Sequence, residues 1–258
     1  VGVISVVSAF QPFQATPKCN TKLHSTFDAY KIDIAENAPR DVNSLYEWAA
    51  NYGVQLSPMF ELSSSGDIYD GMDVCAITNQ DIPAESPIVC VPSELILTGN
   101  KARLEFGNEV AAAERAVKLS DHSALYLFLK VLKEYELGNQ SPWYTWLNSL
   151  PRYYSTGSAM TDFCFSCLPP YAAKQAQAEK SRLKRFQLAL DEVLFLSDET
   201  KANSALTEWA FNVVQTRYQE NAGGDYCLIP MADYFNHAMG GTNIDAYLSF
   251  DDNGNCYA

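Results

Sequence analysis

Histidine and positive charge are both scarce in this sequence. Only three His occur in 258 residues (His24, His122 and His237), too few and too scattered for a His-rich zinc site. Lys and Arg total 18 against 31 Asp and Glu, a formal net charge of -13 with a sequence pI near 4.6. That balance argues against a nucleic acid or an anionic membrane as partner, since both need a basic patch. It is compatible with a basic partner. Long apolar runs are missing too: the N-terminal stretch 1–9 (VGVISVVSA) falls short of the ~20 residues a bilayer span requires. The seven cysteines are odd in number and scattered over a long chain, which does not describe a secreted disulfide scaffold and favours a reducing compartment. Cys164 and Cys167 have CxxC spacing but stand alone. Zinc would want a second pair, and a thioredoxin-like site a βαβ context, so free thiols near a core are the simplest reading. No metal centre is expected. What remains is an ordinary globular composition, 47% hydrophobic and 19% charged, long enough to bury a real core.

Both ends carry information. Residues 1–9 are small and apolar, and 10–27 hold Lys18 and Lys22, several Ser and Thr, and no acid. In so acidic a chain this shift reads as a targeting segment or a disordered tail. The segment 7–12 (VSAFQP) resembles the bipartite plastid presequence of diatoms and related algae, which makes a plastid the expected location, with cytoplasm or nucleus as the alternative. At the other end, 246–250 reads as a strand and Asp251-Asp252-Asn253-Gly254 as a hairpin turn with positive φ at Asn-Gly. Residues 256–258 then begin a return strand that lacks its second half, so an unpaired edge is expected, with further sheet beyond it.

Between the ends, 41–52 reads as a short helix stopped by Gly53, and 60–98 as short strands (74–77 and 88–91) punctuated by Pro83, Pro87 and Pro92. Residues 101–203 read as mainly helical. Asp121 is the expected N-cap of a helix carrying Leu125, Phe128, Leu129, Leu132 and Tyr135 and ended by Gly138. A short helix with Trp146 precedes Pro151, and a long one runs from 170 to about 196. The last helix, about 204–219, is capped by Asn203 or Ser204 and carries Leu206, Ala210 and Val213 on one face. Arg217 continues that face, and a cation there must snorkel outward or find an anionic partner. Strands, helices and strands again predict an α+β fold. The divisions are a targeting-like or disordered 1–40, a β part 41–98, a helical insert 99–203, and a second β part 204–258, incomplete.

Three segments invite chemistry: 209–217, 230–237 and the loop 66–75. Asp233 and His237 lie four apart and could form a local ion pair on a helix; Asn236-His237 could cap a turn. One Asp-His pair gives too few ligands for a transition metal. A Cys227/His237 nucleophilic pair is conceivable, but nothing points to an oxyanion hole.

Trp209-Ala210-Phe211, Thr216-Arg217 and the run 228–237 (LIPMADYFNH) together resemble the SET-domain protein methyltransferases. The resemblance is to the branch with a helical insert, comprising the Rubisco large-subunit lysine methyltransferases and the actin-histidine methyltransferases. Leu45-Tyr46-Glu47-Trp48, the segments 71–76, 81–84 and 91–92, and 143–151 (WYTWLNSLP) fit that pattern as well. It implies a SET-domain β-fold interrupted by helices and methyl transfer from S-adenosylmethionine to a nitrogen of a protein substrate. The expected acceptor is Lys, with His as the runner-up. A catalytically silent SET module that binds a partner is the reading from another class. By family position, Asn236 and His237 would bind the cofactor, Arg217 would face its carboxylate, and Asp70, Gly71 and Met72 would lie along its methionine portion. Asp73 departs from the family's second glycine. The family's catalytic Tyr sits in a downstream Tyr-Gly segment that none of the 15 tyrosines matches, so no catalytic residue is assigned and the chain as it stands is expected to be inactive.

Overall fold

The computed structural model describes residues 30–64, 74–236 and 246–258. Residues 1–29 of the targeting-like segment, Asp70, Gly71, Met72, Asp73 and His237 lie outside the described residues; residues 30–40, expected to be part of that segment, pack on the fold with Ile32 and Ala38 buried. Helix α1 (Leu45–Asn51) leads into strands β1 (Gln55–Leu56), β2 (Glu61–Ser64), β3 (Val74–Ile77), β4 (Val89–Val91) and β5 (Leu97–Thr98). Helices α2 (Gly99–Phe106), α3 (Ala111–Glu114), α4 (His122–Leu137), α5 (Tyr144–Ser149), α6 (Asp162–Cys167), α7 (Pro170–Leu190), α8 (Asp198–Ala202) and α9 (Ser204–Arg217) follow. The chain then returns to strands β6 (Gln219–Glu220), β7 (Tyr226–Leu228), β8 (Ser249–Phe250) and β9 (Cys256–Tyr257).

All strand pairs are antiparallel, in sheets ordered β1-β4-β9-β8, β2-β3 and β5-β7-β6. Two of these sheets join strands from either side of the helical stretch: Leu97 pairs with Leu228, and Val91 with Cys256. The architecture is α+β, and the helices leave and re-enter the sheets at neighbouring points.

Helix α4 is apolar on nearly every side, so it lies in the middle. Its Phe128 meets Phe186 of α7, which meets Phe211 of α9 edge-on, both at 5.4 Å between ring centroids. Lys130 of α4 is buried only because Glu105 (2.6 Å) and Glu134 (2.7 Å) hold its ammonium. Asn203 caps α9 as expected, its Oδ1 accepting from Leu206 N at 3.0 Å.

Several sequence expectations are corrected. Asp121 occupies the N-cap position of α4 but makes no capping bond; its carboxylate is drawn instead to Arg182 and Arg185 of α7. Helix α7 ends at Leu190, not near 196; Val193 and Leu196 are buried from an irregular segment, so burial rather than helical period set their spacing. Cys164 and Cys167 sit away from the core, on α6, which has no buried residue. In the terminal hairpin only Gly254 has positive φ (78°). Asp251 O accepts from Gly254 N at 2.9 Å and Asp251 Oδ1 accepts from Asn253 N and Asn255 N. This is a turn closed by a left-handed glycine, stabilised by the Asp side chain, rather than a two-residue Asn-Gly turn. The return strand β9 is no unpaired edge either: it lies between β4 and β8, and Ala258 N donates to Val89 O at 2.9 Å.

Candidate functional site

Arg217 ends the buried face of α9 and does not snorkel outward. Its side chain is 10% exposed, and Nη1 donates to Asp233 Oδ2 at 2.9 Å and to the Asp233 carbonyl at 3.0 Å. The Asp233 side chain is 1% exposed, and its Oδ2 also accepts from Trp146 Nε1 at 3.0 Å. The guanidinium lies 5.2 Å from the centre of the Tyr234 ring, whose hydroxyl is 2.7 Å from Ser149 Oγ. Burial alone would lower the Arg217 pKa; the Asp233 carboxylate, together with the Tyr154 and Tyr234 phenols, moves it upward instead, so the cation persists. Burial pushes the Asp233 carboxyl up, with Arg217 and Trp146 opposing. The resemblance implied that Arg217 faces the cofactor carboxylate, and spacing alone left a local Asp233–His237 ion pair open. Among the described residues Arg217 and Asp233 pair with each other: two buried opposite charges are tolerated only when each offsets the other's lost hydration.

A strained turn aims Asp233 at α9. Pro230 has no N–H to continue past β7, and Met231 follows with φ of 71° and a fully buried side chain. A non-glycine residue held there costs of order 1–3 kcal/mol, sustained by surrounding packing. A single 3₁₀ turn, Ala232–Tyr234, comes next, with Asp233 N donating to Ile229 O at 2.9 Å. Nothing in the run 230–237 signals this strain.

The pair forms the floor of a cavity of about 660 Å³. One wall is the segment 151–156, pinned by Trp209 Nε1 donating to Pro151 O at 2.9 Å and Thr156 Oγ1 donating to Asn212 Oδ1 at 2.7 Å. Arg152 in that wall is itself a staple, donating to Leu150 O, Asn148 Oδ1 and Pro39 O. Arg40 also lines the cavity, its Nε donating to Ser149 O at 2.8 Å. Val74 of β3 and the exposed Asn236 also line the cavity. Thus Arg40, Arg152 and Arg217 converge, against Glu36 and Asp233, in a chain of net charge -13. Arg217 Nε, Arg152 Nε and Asp233 Oδ1 are buried there with no hydrogen-bond partner among the described residues. Burial raises the pKa of Tyr154, with the neighbouring Arg217 opposing.

Of the six expected cofactor residues, Arg217 and Asn236 reach this one cavity. Arg40, Arg152 and Tyr154 had no sequence signal as site residues, because neither the stretch before α1 nor the segment 151–156 carries a motif that marks them; Trp146 lies in the quoted run 143–151, but nothing there signalled its contact to Asp233. Cys227 is no nucleophile: its thiol is buried, donates to Gln219 O at 3.3 Å, and is pushed up to about 12 by burial. Among the described residues no group of three or more His, Cys, Asp or Glu is placed to hold a metal ion.

No protein-family model and no curated protein matches the sequence. Solved structures do. The SET domain of LSMT bound to lysine and AdoHcy superposes with a TM-score of 0.66 over 85% of this chain and 49% of that one, at 18% identity. Rubisco LSMT bound to sinefungin and monomethyllysine gives a TM-score of 0.61 over 81% of this chain and 48% of that one, at 19% identity. The chain has a SET-domain fold. It spans about half the length of the solved structures it matches, so the SET fold here is seen over that portion. In Rubisco LSMT bound to AdoMet the likeness holds at a TM-score of 0.60 and 19% identity, covering 81% of this chain and 47% of that one. With fewer than one residue in five shared, the SET fold survives as a pattern of pairing and burial rather than as a continuous sequence signature.

Proposed function

We propose that the protein is an S-adenosylmethionine-dependent protein-lysine N-methyltransferase whose cofactor lies in the cavity above Arg217 and Asp233. The observation carrying this reading is the cavity itself, on a fold shared with structures that hold AdoMet, AdoHcy and sinefungin. Its volume falls within the 300–1,000 Å³ of ordinary small-molecule sites. The residues fit the cofactor's amino-acid end. Arg217 places a fixed positive charge at the cavity for a carboxylate, and Asp233 a negative one for an ammonium. Asn236 adds an amide at the rim. His237, Asp70, Gly71 and Met72 remain proposed cofactor contacts on the strength of the sequence resemblance.

The cofactor supplies an electrophilic sulfonium methyl. The protein's task is to hold a nitrogen in line with it and close to it, which is where most of the rate advantage of an oriented displacement arises. That nitrogen must be neutral, although free Lys has a pKa of about 10.4. The lysine and methyllysine held by the related structures support Lys as the acceptor, on a protein substrate. The resemblance at the N-terminus supports a plastid location, which a reporter fused after residues 1–40 in an algal cell tests; a cytosolic signal refutes it.

The deciding experiment incubates the full-length protein with methyl-labelled S-adenosylmethionine and candidate proteins. Label on a lysine Nζ supports the proposal. Label on a histidine ring nitrogen replaces it with histidine methylation. No transfer, together with capture of a protein partner, replaces it with a binding module.

A further inference from the structure

We propose that Cys164 and Cys167 form a redox-active dithiol that a low-molecular-weight disulfide, such as oxidised glutathione, converts to an intramolecular disulfide. The two thiols lie three residues apart on α6, about one helical turn, so both project from the same side. That spacing puts their Cα atoms within the range a disulfide spans. Neither is packed away: Cys167 is exposed, Cys164 is partly exposed, and α6 has no buried residue. The remaining described cysteines differ. Cys90, Cys227 and Cys256 are buried, and Cys75 is alone on β3.

The two sulfurs are also unequal, which gives each a role. The Cys164 Sγ lies 3.2 Å from the Thr161 hydroxyl, which is the donor once Cys164 is a thiolate, since a thiolate only accepts. That hydrogen bond, with lesser help from Lys180, holds the Cys164 pKa below the ordinary thiol value. Lys180 is anchored close by, its Nζ donating to Met160 O at 2.6 Å and lying 5.2 Å from the centre of the Phe165 ring. Cys164 is therefore the attacking thiolate and Cys167 the resolving thiol.

The reaction balances in two exchanges. The Cys164 thiolate attacks one sulfur of the glutathione disulfide, forming a mixed disulfide and releasing one glutathione thiolate. The Cys167 thiolate then attacks the Cys164 sulfur, closing the intramolecular bond and releasing the second. The protein loses two electrons and the two thiol protons, and the external disulfide gains them as two thiols. Closing the bond tightens the last turn of a six-residue helix that buries nothing, so little packing opposes it.

The test is to equilibrate the folded chain with graded ratios of oxidised to reduced glutathione, quench in acid, alkylate, digest and weigh the peptides. The expected result is a peptide spanning 164 and 167 that is two hydrogens lighter than the reduced form. It should appear at less oxidising ratios than any adduct on Cys75. Cys167→Ser should stop at one glutathione on Cys164, and Cys164→Ser should slow the reaction at Cys167. Both positions sit on an exposed helix, so the variants fold, and unchanged thermal melting checks this. Reduced thiols where Cys75 is already modified would overturn the proposal. So would separate glutathione adducts on both sulfurs, or a Cys167→Ser protein that sheds its adduct at the wild-type rate.

Discussion

At the residue scale, the Arg217–Asp233 pair holds the site together and also limits what can be changed there. Among the described residues, Arg217→Ala leaves a buried carboxylate with Trp146 and the turn to satisfy it. The expected cost is about 3–5 kcal/mol, read as a drop in denaturant midpoint. Arg217→Met combined with Asp233→Leu should recover most of that loss, because neither charge is then stranded. If the single and double variants are equally stable, the pair is not the buried ionic unit described above. The tyrosines give a second expectation. Burial pushes Tyr126 and Tyr234 up to about 12, with Glu114 and Asp233 respectively adding to the push. Their folded pKa exceeds the unfolded value of about 10, so their contribution is complete below about pH 10 and is lost as pH rises through about 12. Stability should therefore fall steeply in that window, in step with the late fraction of tyrosinate absorbance. Early titration of all tyrosines in a still-folded chain would contradict the burial assigned to them.

At the scale of elements, burial and punctuation made much of the fold legible. Gly138, Pro151, Asn203 and Pro230 each stop or start an element where the sequence placed a boundary. Strand β3 matches its expected span, and β4 begins one residue later than expected. Where the reading failed, long-range pairing had overruled a local preference. Asp121 gave up capping α4 for two arginines on α7. Val193 and Leu196 kept helical spacing without a helix. The same limit applies to the site: Arg217 and Asn236 were legible through a motif, whereas Arg40, Arg152 and Tyr154 meet them only through the packing of segments far apart in sequence. One contact between elements can be tested directly. A Cβ added at Gly157 would stand 2.6 Å from Ala176 Cα and 2.9 Å from Ala176 O, both backbone atoms of α7. Gly157→Ala should force α7 off this turn and cost about 1–3 kcal/mol. A neutral result would mean that the close approach of Gly157 to α7 is not maintained in solution.

At the scale of the whole molecule, the helical stretch is spliced into the sheets rather than appended to them. Strands from both sides pair with each other, and the last helix delivers Arg217 to a turn that follows β7. The cavity thus combines residues preceding α1, the wall after α5, the end of α9 and the turn at Asp233. Separated over nearly 200 positions, these residues become neighbours only when the complete set of sheets forms, so site and fold should be lost together. The most direct test of the account is the melting temperature of this chain with and without S-adenosylmethionine, alongside Asn236→Ala. A ligand of the native state at 100 times its dissociation constant stabilises by about 2.7 kcal/mol. The expected result is a clear upward shift for the wild-type chain, with Asn236→Ala melting normally but responding weakly. No shift for the wild-type chain at millimolar cofactor, or an equal shift in Asn236→Ala, would contradict the placement of the cofactor in this cavity.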